Sequence, residues 1–222
     1  MNGFHLRFAA AWLVSVGIGC TSAPVRYYTL TPAPEKTLPV PETTLTIDVR
    51  IVHTPPQLNR AELMVRAGPT EVMLLENERW ASPVNDEIKD ALRLELQRRA
   101  GRMTGLRPAF AKLTLDVDVR HLEAEFGRYA LLEASWSAAL SAAGRRADGA
   151  RVTTCTFQAE ENIQAGYTGI VEGYQREIAA LADAIVAELT SPPSGGDAPC
   201  QKTLEGSAGG SGPKDHFSPM RG

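Results

Sequence analysis

Leu113-Thr114-Leu115-Asp116-Val117-Asp118-Val119-Arg120 alternates apolar and polar side chains without a break. A period of two puts the four apolar side chains on one face of a strand and Thr114, Asp116, Asp118 and Arg120 on the other, the pattern of a sheet with one buried face. Gly127 closes this strand, and Leu132, Ala134, Trp136, Ala138 and Leu140 supply the inward set of the next. A polar turn over residues 144–149 leads to a third, Arg151 to Glu160, with Cys155 and Phe157 on one side. Three successive strands joined by short turns predict an antiparallel meander.

Upstream, Thr44 to Val52 alternates in the same way, with Leu45, Ile47, Val49 and Ile51 on the apolar face. His53-Thr54-Pro55-Pro56-Gln57 interrupts it, Leu58 to Arg66 resumes as a shorter strand, and Ala67-Gly68-Pro69 turns the chain into Glu71–Leu75 as a hairpin partner. A helix start follows: Ser82 can cap, Pro83 fits the first helical position, and Asp86 and Glu87 stand where the helix dipole favours acids. Val84, Ile88, Ala91, Leu92 and Leu96 form one apolar stripe, predicting a helix that ends near Gly101. A second helix, Tyr167 to Thr190, carries Tyr174, Ile178, Leu181, Ile185 and Leu189 on its stripe, with Thr168 as the candidate cap. Strands with one apolar face and helices with one apolar stripe are satisfied together by an α/β fold, a single domain over residues 43–190 in which a mixed sheet packs against two amphipathic helices. Which strands are neighbours does not follow from the pattern.

Residues 1–19 have a cationic start at Arg7, an apolar run and small residues Gly17 and Gly19 before Cys20. This is the pattern of an export signal, too short to span a bilayer comfortably, with a cysteine placed to take a diacylglyceryl group. Cys20 is therefore the expected lipid attachment site, although Gly17 stands where a Leu is usual. Thr21 to Glu42 carries Pro24, Pro32, Pro34, Pro39 and Pro41 and reads as a tether (residues 20–42) able to hold the domain some tens of ångströms from the lipid. Within it, Arg26-Tyr27-Tyr28-Thr29-Leu30 has the β-forming composition to dock as an edge strand. Residues 191–222, rich in Gly, Ser and Pro, are expected to be disordered.

The formal net charge is −3, and loss of Arg7 with the signal makes it one unit more negative, so no basic face points to nucleic acid. Of the three cysteines, Cys155 and Cys200 would remain beside an acylated Cys20, either as a buried thiol and a tail residue or as a bridge that an oxidising compartment permits. His53 and His121 fall at strand ends, and Asp116, Asp118, Glu123 and Glu125 lie on strand faces without calcium-loop spacing, so solvated sheet faces explain them. No G-x-S-x-G, H-E-x-x-H or C-x-x-C occurs. The expectation is no catalytic residue, no metal and no cofactor; an enzyme would need His53 or His121 brought beside a carboxylate in a pocket. Two residues remain as candidate partner contacts. Trp80 is either a staple at the helix entry or an exposed contact, and Leu58 tips a proline loop that either covers core or binds at an edge.

Taken in order, Cys20, Tyr27-Tyr28-Thr29-Leu30, the strand Ile47 to Val52 with its proline loop ending in Leu58-Asn59-Arg60, Trp80-Ala81-Ser82-Pro83, and Gly166-Tyr167 resemble the ABC-type transport auxiliary lipoproteins, the PqiC/YmbA-like group. The sequence departs from that group in Pro55-Pro56-Gln57, where Pro-x-Tyr is usual, and in its long tail after Thr190. The resemblance implies a non-catalytic envelope partner of a lipid transporter with an MCE-domain subunit, anchored through Cys20 on the periplasmic side of the outer membrane. It carries no catalytic residue. A homo-oligomer is compatible with it. The rival reading is a carrier holding lipid between sheet and helices, against which Ala91, Ala134, Ala138 and Ala182 argue by favouring close packing.

Overall fold

The meander is the centre of the sheet. The computed structural model describes residues 23–33, 45–103, 110–142, 151–191 and 200–205. Its strands are β1 (Arg26–Tyr28), β2 (Thr46–His53), β3 (Glu62–Arg66), β4 (Val72–Trp80), β5 (Phe110–Glu125), β6 (Tyr129–Ala142), β7 (Arg151–Asn162) and β8 (Cys200–Glu205), with helices α1 (Val84–Met103) and α2 (Tyr167–Thr190). One mixed sheet runs β1-β4-β3-β5-β6-β7-β8, and β2 pairs with β5 beside this path. Pairing is antiparallel in β3–β4, β5–β6 and β6–β7, and parallel in β1–β4, β2–β5, β3–β5 and β7–β8. The α/β class, the single domain and the meander all stand as expected.

The inward sets of the three central strands are buried as their alternation predicts, Leu113 to Val119, Leu132 to Leu140, and Cys155 with Phe157. Register stacks them across strands: Val117 faces Trp136, which faces Cys155. The two helices pack on each other and over this face, α1 against β2 and α2 against β6 and β7. Both apolar stripes are buried as read. The other sheet face carries Thr114, Asp116, Ser135, Ser137 and Thr154. Asp116 pairs there with Arg50, and Arg66 with Glu123, which also accepts the Tyr129 hydroxyl at 2.7 Å. Arg66 and Tyr129 hold the Glu123 carboxyl below the usual range, Arg66 more strongly.

Several local expectations are corrected. A bulge between Val49 and Ile51 shifts the register of β2 on β5, so Val52 turns into the core and Ile51 stands outside. A second bulge, between Val119 and His121, turns Leu122 and Ala124 inward at the end of β5. β4 runs on from Val72 to Trp80, so Trp80 ends a strand as well as preceding a helix. The α1 helix continues to Met103. Ser82 does not cap α1 directly: its hydroxyl and amide donate to Glu87 Oε1 at 2.7 and 3.1 Å, while the Pro83 carbonyl accepts the Asp86 and Glu87 amides. Gly166, not Thr168, occupies the N-cap of α2, with φ +114°, a backbone conformation that side chains disfavour.

The largest correction is at the far end of the chain. Cys200–Glu205, inside the stretch expected to be disordered, forms β8 parallel to β7, and Cys155 and Cys200 are joined as a disulfide with their Cα atoms 4.6 Å apart. The bond fixes a six-residue strand whose own apolar content is too small to hold it, and it covers the β7 edge.

One of the buried carboxyls stands apart from the ion pairs. Glu177 on α2 is 0% exposed and neither oxygen reaches a hydrogen-bond partner. Burial, reinforced by Glu161 and Glu160 on β7, pushes it up to about 9, against the smaller opposing pull of the Leu132 backbone and Arg176. By contrast Asp183, also on α2, is held down to about 2 chiefly by Arg99, at 2.7 Å, and by Arg102, tying the two helices together on their outer side.

Candidate functional site

The chain enters the domain through a strap built on two buried carboxylates. β1 lies parallel to the end of β4, with Arg26 opposite Glu78 and Tyr28 opposite Trp80, which realises the edge-strand docking. Glu78 accepts from Arg26 Nε and Nη2 at 3.1 and 2.7 Å and from the Tyr28 hydroxyl at 2.6 Å. Burial and this bond push the Tyr28 phenol up to about 12. One turn into α1, Glu87 accepts from Thr29 Oγ1 at 2.7 Å and the Leu30 amide at 2.8 Å through one oxygen, and from Ser82 through the other. Leu30 is 0% exposed, and the Tyr28 carbonyl accepts the Ala81 amide at 2.8 Å. A buried carboxylate with four donors is a costly arrangement unless every donor is in place. The strap is therefore part of the fold.

Cys20 lies outside the described residues. From Ala23, the first described residue, it is three residues away, so its Cα is at most ~11 Å distant whatever the conformation between. The tens of ångströms expected from a tether reaching Glu42 are thereby reduced.

Leu58 and Trp80, far apart in sequence, come to one place because the sheet is split. β2 covers the β5 edge from Lys112 to Asp118 and β3 meets it at Glu125, and between them the single turn of 3₁₀ helix Pro56–Leu58 fills the gap. Half-buried Leu58 lines a cleft on each side of the sheet. On the helix side it meets Trp80, Val84, Leu122, Ile170 and Tyr174 around about 10 Å³ of free space, and on the open side Met64, Val72, Arg66, Arg120 and His121 around about 50 Å³. Ligand pockets run to roughly 300–1,000 Å³, so neither cleft takes an acyl chain. Trp80 is 7% exposed and meets the Tyr174 ring in a tilted contact with centroids 6.3 Å apart, so it lies in the core at the helix entry.

The two described histidines, His53 and His121, lie apart on the sheet. His53 is exposed, opposite Asp118 in register. His121 Nε2 stands 3.8 Å from Glu133, a carboxylate shared with Arg120. That pairing is open to water, with the imidazole 60% exposed. Cys155, Cys200 and Glu188 could offer ligand atoms within 4.8 Å of one another, yet the two sulfurs are consumed by their bond. Among the described residues no helix is long and apolar enough to cross a membrane.

Glu78, Glu87 and Glu177 escaped the sequence reading. The first two had a signal only in the first-turn position of Glu87, since their partners on the strap lie 50 or more residues away. Glu177 sits beside the apolar stripe of α2, where a charged residue at i−1 from Ile178 was the available sign.

The fold is similar to a crystal structure of an uncharacterised protein, with TM-score 0.56 and 18% identity over 76% of this chain and 100% of that one. A Xanthomonas campestris protein of known structure matches with TM-score 0.45 and 16% identity, covering 73% of this chain and 92% of that chain. No curated protein sequence matches. Over residues 28–186 the sequence fits the model of the ABC-type transport auxiliary lipoprotein component, and the chain belongs to that family.

Proposed function

We propose that the chain is an outer-membrane lipoprotein, acylated at Cys20 and facing the periplasm, that docks the MCE-domain subunit of an ABC-type lipid transporter at the membrane by protein contacts and without catalysis. The strap carries this reading. A lipid anchor that enters the fold through Glu78 and Glu87 holds the whole domain at the surface, and tethering makes its encounter with a partner there effectively intramolecular. Thr21 after the cysteine, where Asp would favour the inner membrane, supports the outer one. The small clefts around Leu58 argue against lipid carriage between sheet and helices. Affinity purification from membranes after mild crosslinking is expected to recover a transporter subunit, and intact-mass analysis a mature chain beginning at acylated Cys20. Recovery of the chain alone, or a mature terminus elsewhere, overturns the proposal.

A further inference from the structure

Nine large apolar side chains stand exposed among the described residues, and four of them lie at one end of the sheet: Val72, Met73, Leu74 and Phe126, each 39–52% exposed. Register puts them there. Val72 opposes Arg66, which opposes Glu125, so the start of β4 lies level with the end of β5 and with the β5–β6 turn that carries Phe126. β1 covers only Glu78 to Trp80 of β4, leaving Val72–Leu74 outside that pairing.

The strap meets this end of the sheet through its side chains. Arg26 lies over the Tyr167 ring at 5.5 Å, and Tyr167 meets Phe126 edge-on, also at 5.5 Å. Cys20 is at most ~11 Å from Ala23, so acyl chains on it would enter a bilayer beside this apolar end. The cations here are matched, Arg26 with Glu78, Arg66 with Glu123 and Arg128 with Glu125, which leaves aromatic and aliphatic surface as the dominant feature. Such surface suits the membrane–water interface, where aromatic rings collect and where a second apolar contact reinforces a lipid anchor.

We infer that this end of the domain lies on the phospholipid bilayer, with Val72, Met73, Leu74 and Phe126 seated at the interface next to the acylated terminus. The inference rests on acylation of Cys20, and its test separates the two. The acylated full chain is reconstituted into phosphatidylethanolamine–phosphatidylglycerol vesicles containing phosphatidylcholine brominated on its acyl chains. Tryptophan is introduced singly as Met73→Trp, Phe126→Trp or, at the opposite end of the sheet, Val152→Trp. Trp80 and Trp136 are buried and give the background measured on the unsubstituted protein. The emission added at positions 73 and 126 should be mostly lost to bromine quenching and that at 152 retained. Chains that float with the vesicles but show equal quenching at all three positions overturn the inference while leaving the anchor intact. Chains that do not float overturn the anchor itself. Quenching at 73 and 126 that disappears when a co-purified transporter subunit is added assigns this end to a protein partner and also overturns the inference.

Discussion

Replacing Glu177 should stabilise the protein, and more so at higher pH. The carboxyl is fully buried, unpartnered, and pushed up to about 9 by burial and by Glu161 and Glu160. In the unfolded chain it returns to 4.5, so between 4.5 and about 9 the native state holds a proton that the unfolded state has released. Unfolding then sheds a proton, and stability falls as pH rises through that window and is fully restored below 4.5. At about 1.4 kcal/mol per pH unit, the burial costs ~3 kcal/mol at pH 7 relative to an unperturbed group. Glu177→Met removes the titration and the two orphan oxygens at similar volume, and Glu177→Gln removes the titration alone. Urea unfolding of both variants and the parent across the window is the assay. The parent curve should slope down with pH; both variants should lose that part of the slope, and the Met variant should gain ~3 kcal/mol near neutrality, or several degrees in Tm. A slope unchanged by either substitution would refute a neutral buried carboxyl at this site.

Three further outcomes follow from the same structure. A Cβ at Gly169 would collide with the Gln164 carbonyl, which is backbone and cannot yield, so Gly169→Ala should cost ~1–3 kcal/mol by thermal denaturation, whereas Ala at half-buried Gly68, where the nearest atom is 3.9 Å away, should cost far less. Cys200→Ser, or reductant on the parent, should lower stability by ~2–4 kcal/mol by freeing the 45-residue separation closed by the bond; equal melting with and without reductant would exclude a structural disulfide. Glu87→Ala strands the buried Leu30 amide and should loosen the strap, so tryptic cleavage after Arg26 should rise at least about tenfold while the core still unfolds cooperatively.

What was legible in the sequence was what has a period. Leu113 to Val119, Leu132 to Leu140 and the two helix stripes each repeat long enough for burial to dominate, and each went inside. The bulges after Val49 and Val119 broke the period in single steps whose cause is the neighbouring strand, so Ile51 was placed inward where Val52 belongs. β8 had six residues of weak pattern in a Gly-, Ser- and Pro-rich tail, and only pairing to Cys155 makes it a strand. Trp80 and Leu58 were visible as unusual residues, but their meeting depends on the gap left between β2 and β3, a property of topology. The strap was legible only in part: the tyrosines carry β-forming composition, while the glutamates that receive them carry no local sign of it.

The strap changes what a lipid anchor can do. A tether of twenty or more extended residues would leave the domain free to turn over a radius of roughly 70 Å, and the anchor would supply concentration without orientation. With β1 locked to Glu78 and Leu30 locked to Glu87, the reach from Ala23 to Cys20 is at most ~11 Å, well under the width of seven strands abreast at about 4.8 Å each. On the proposed acylation of Cys20, rotation about so short a link would be limited by collision of the domain with the surface, and one end of the sheet would face the lipid. A protein that joins a transporter to a membrane needs a fixed orientation as much as proximity, because its partner approaches from one side. Loosening the strap by Glu87→Ala separates the two requirements: the chain should still float with vesicles while capture of a transporter subunit falls. Capture undiminished by a loosened strap would mean that proximity alone suffices.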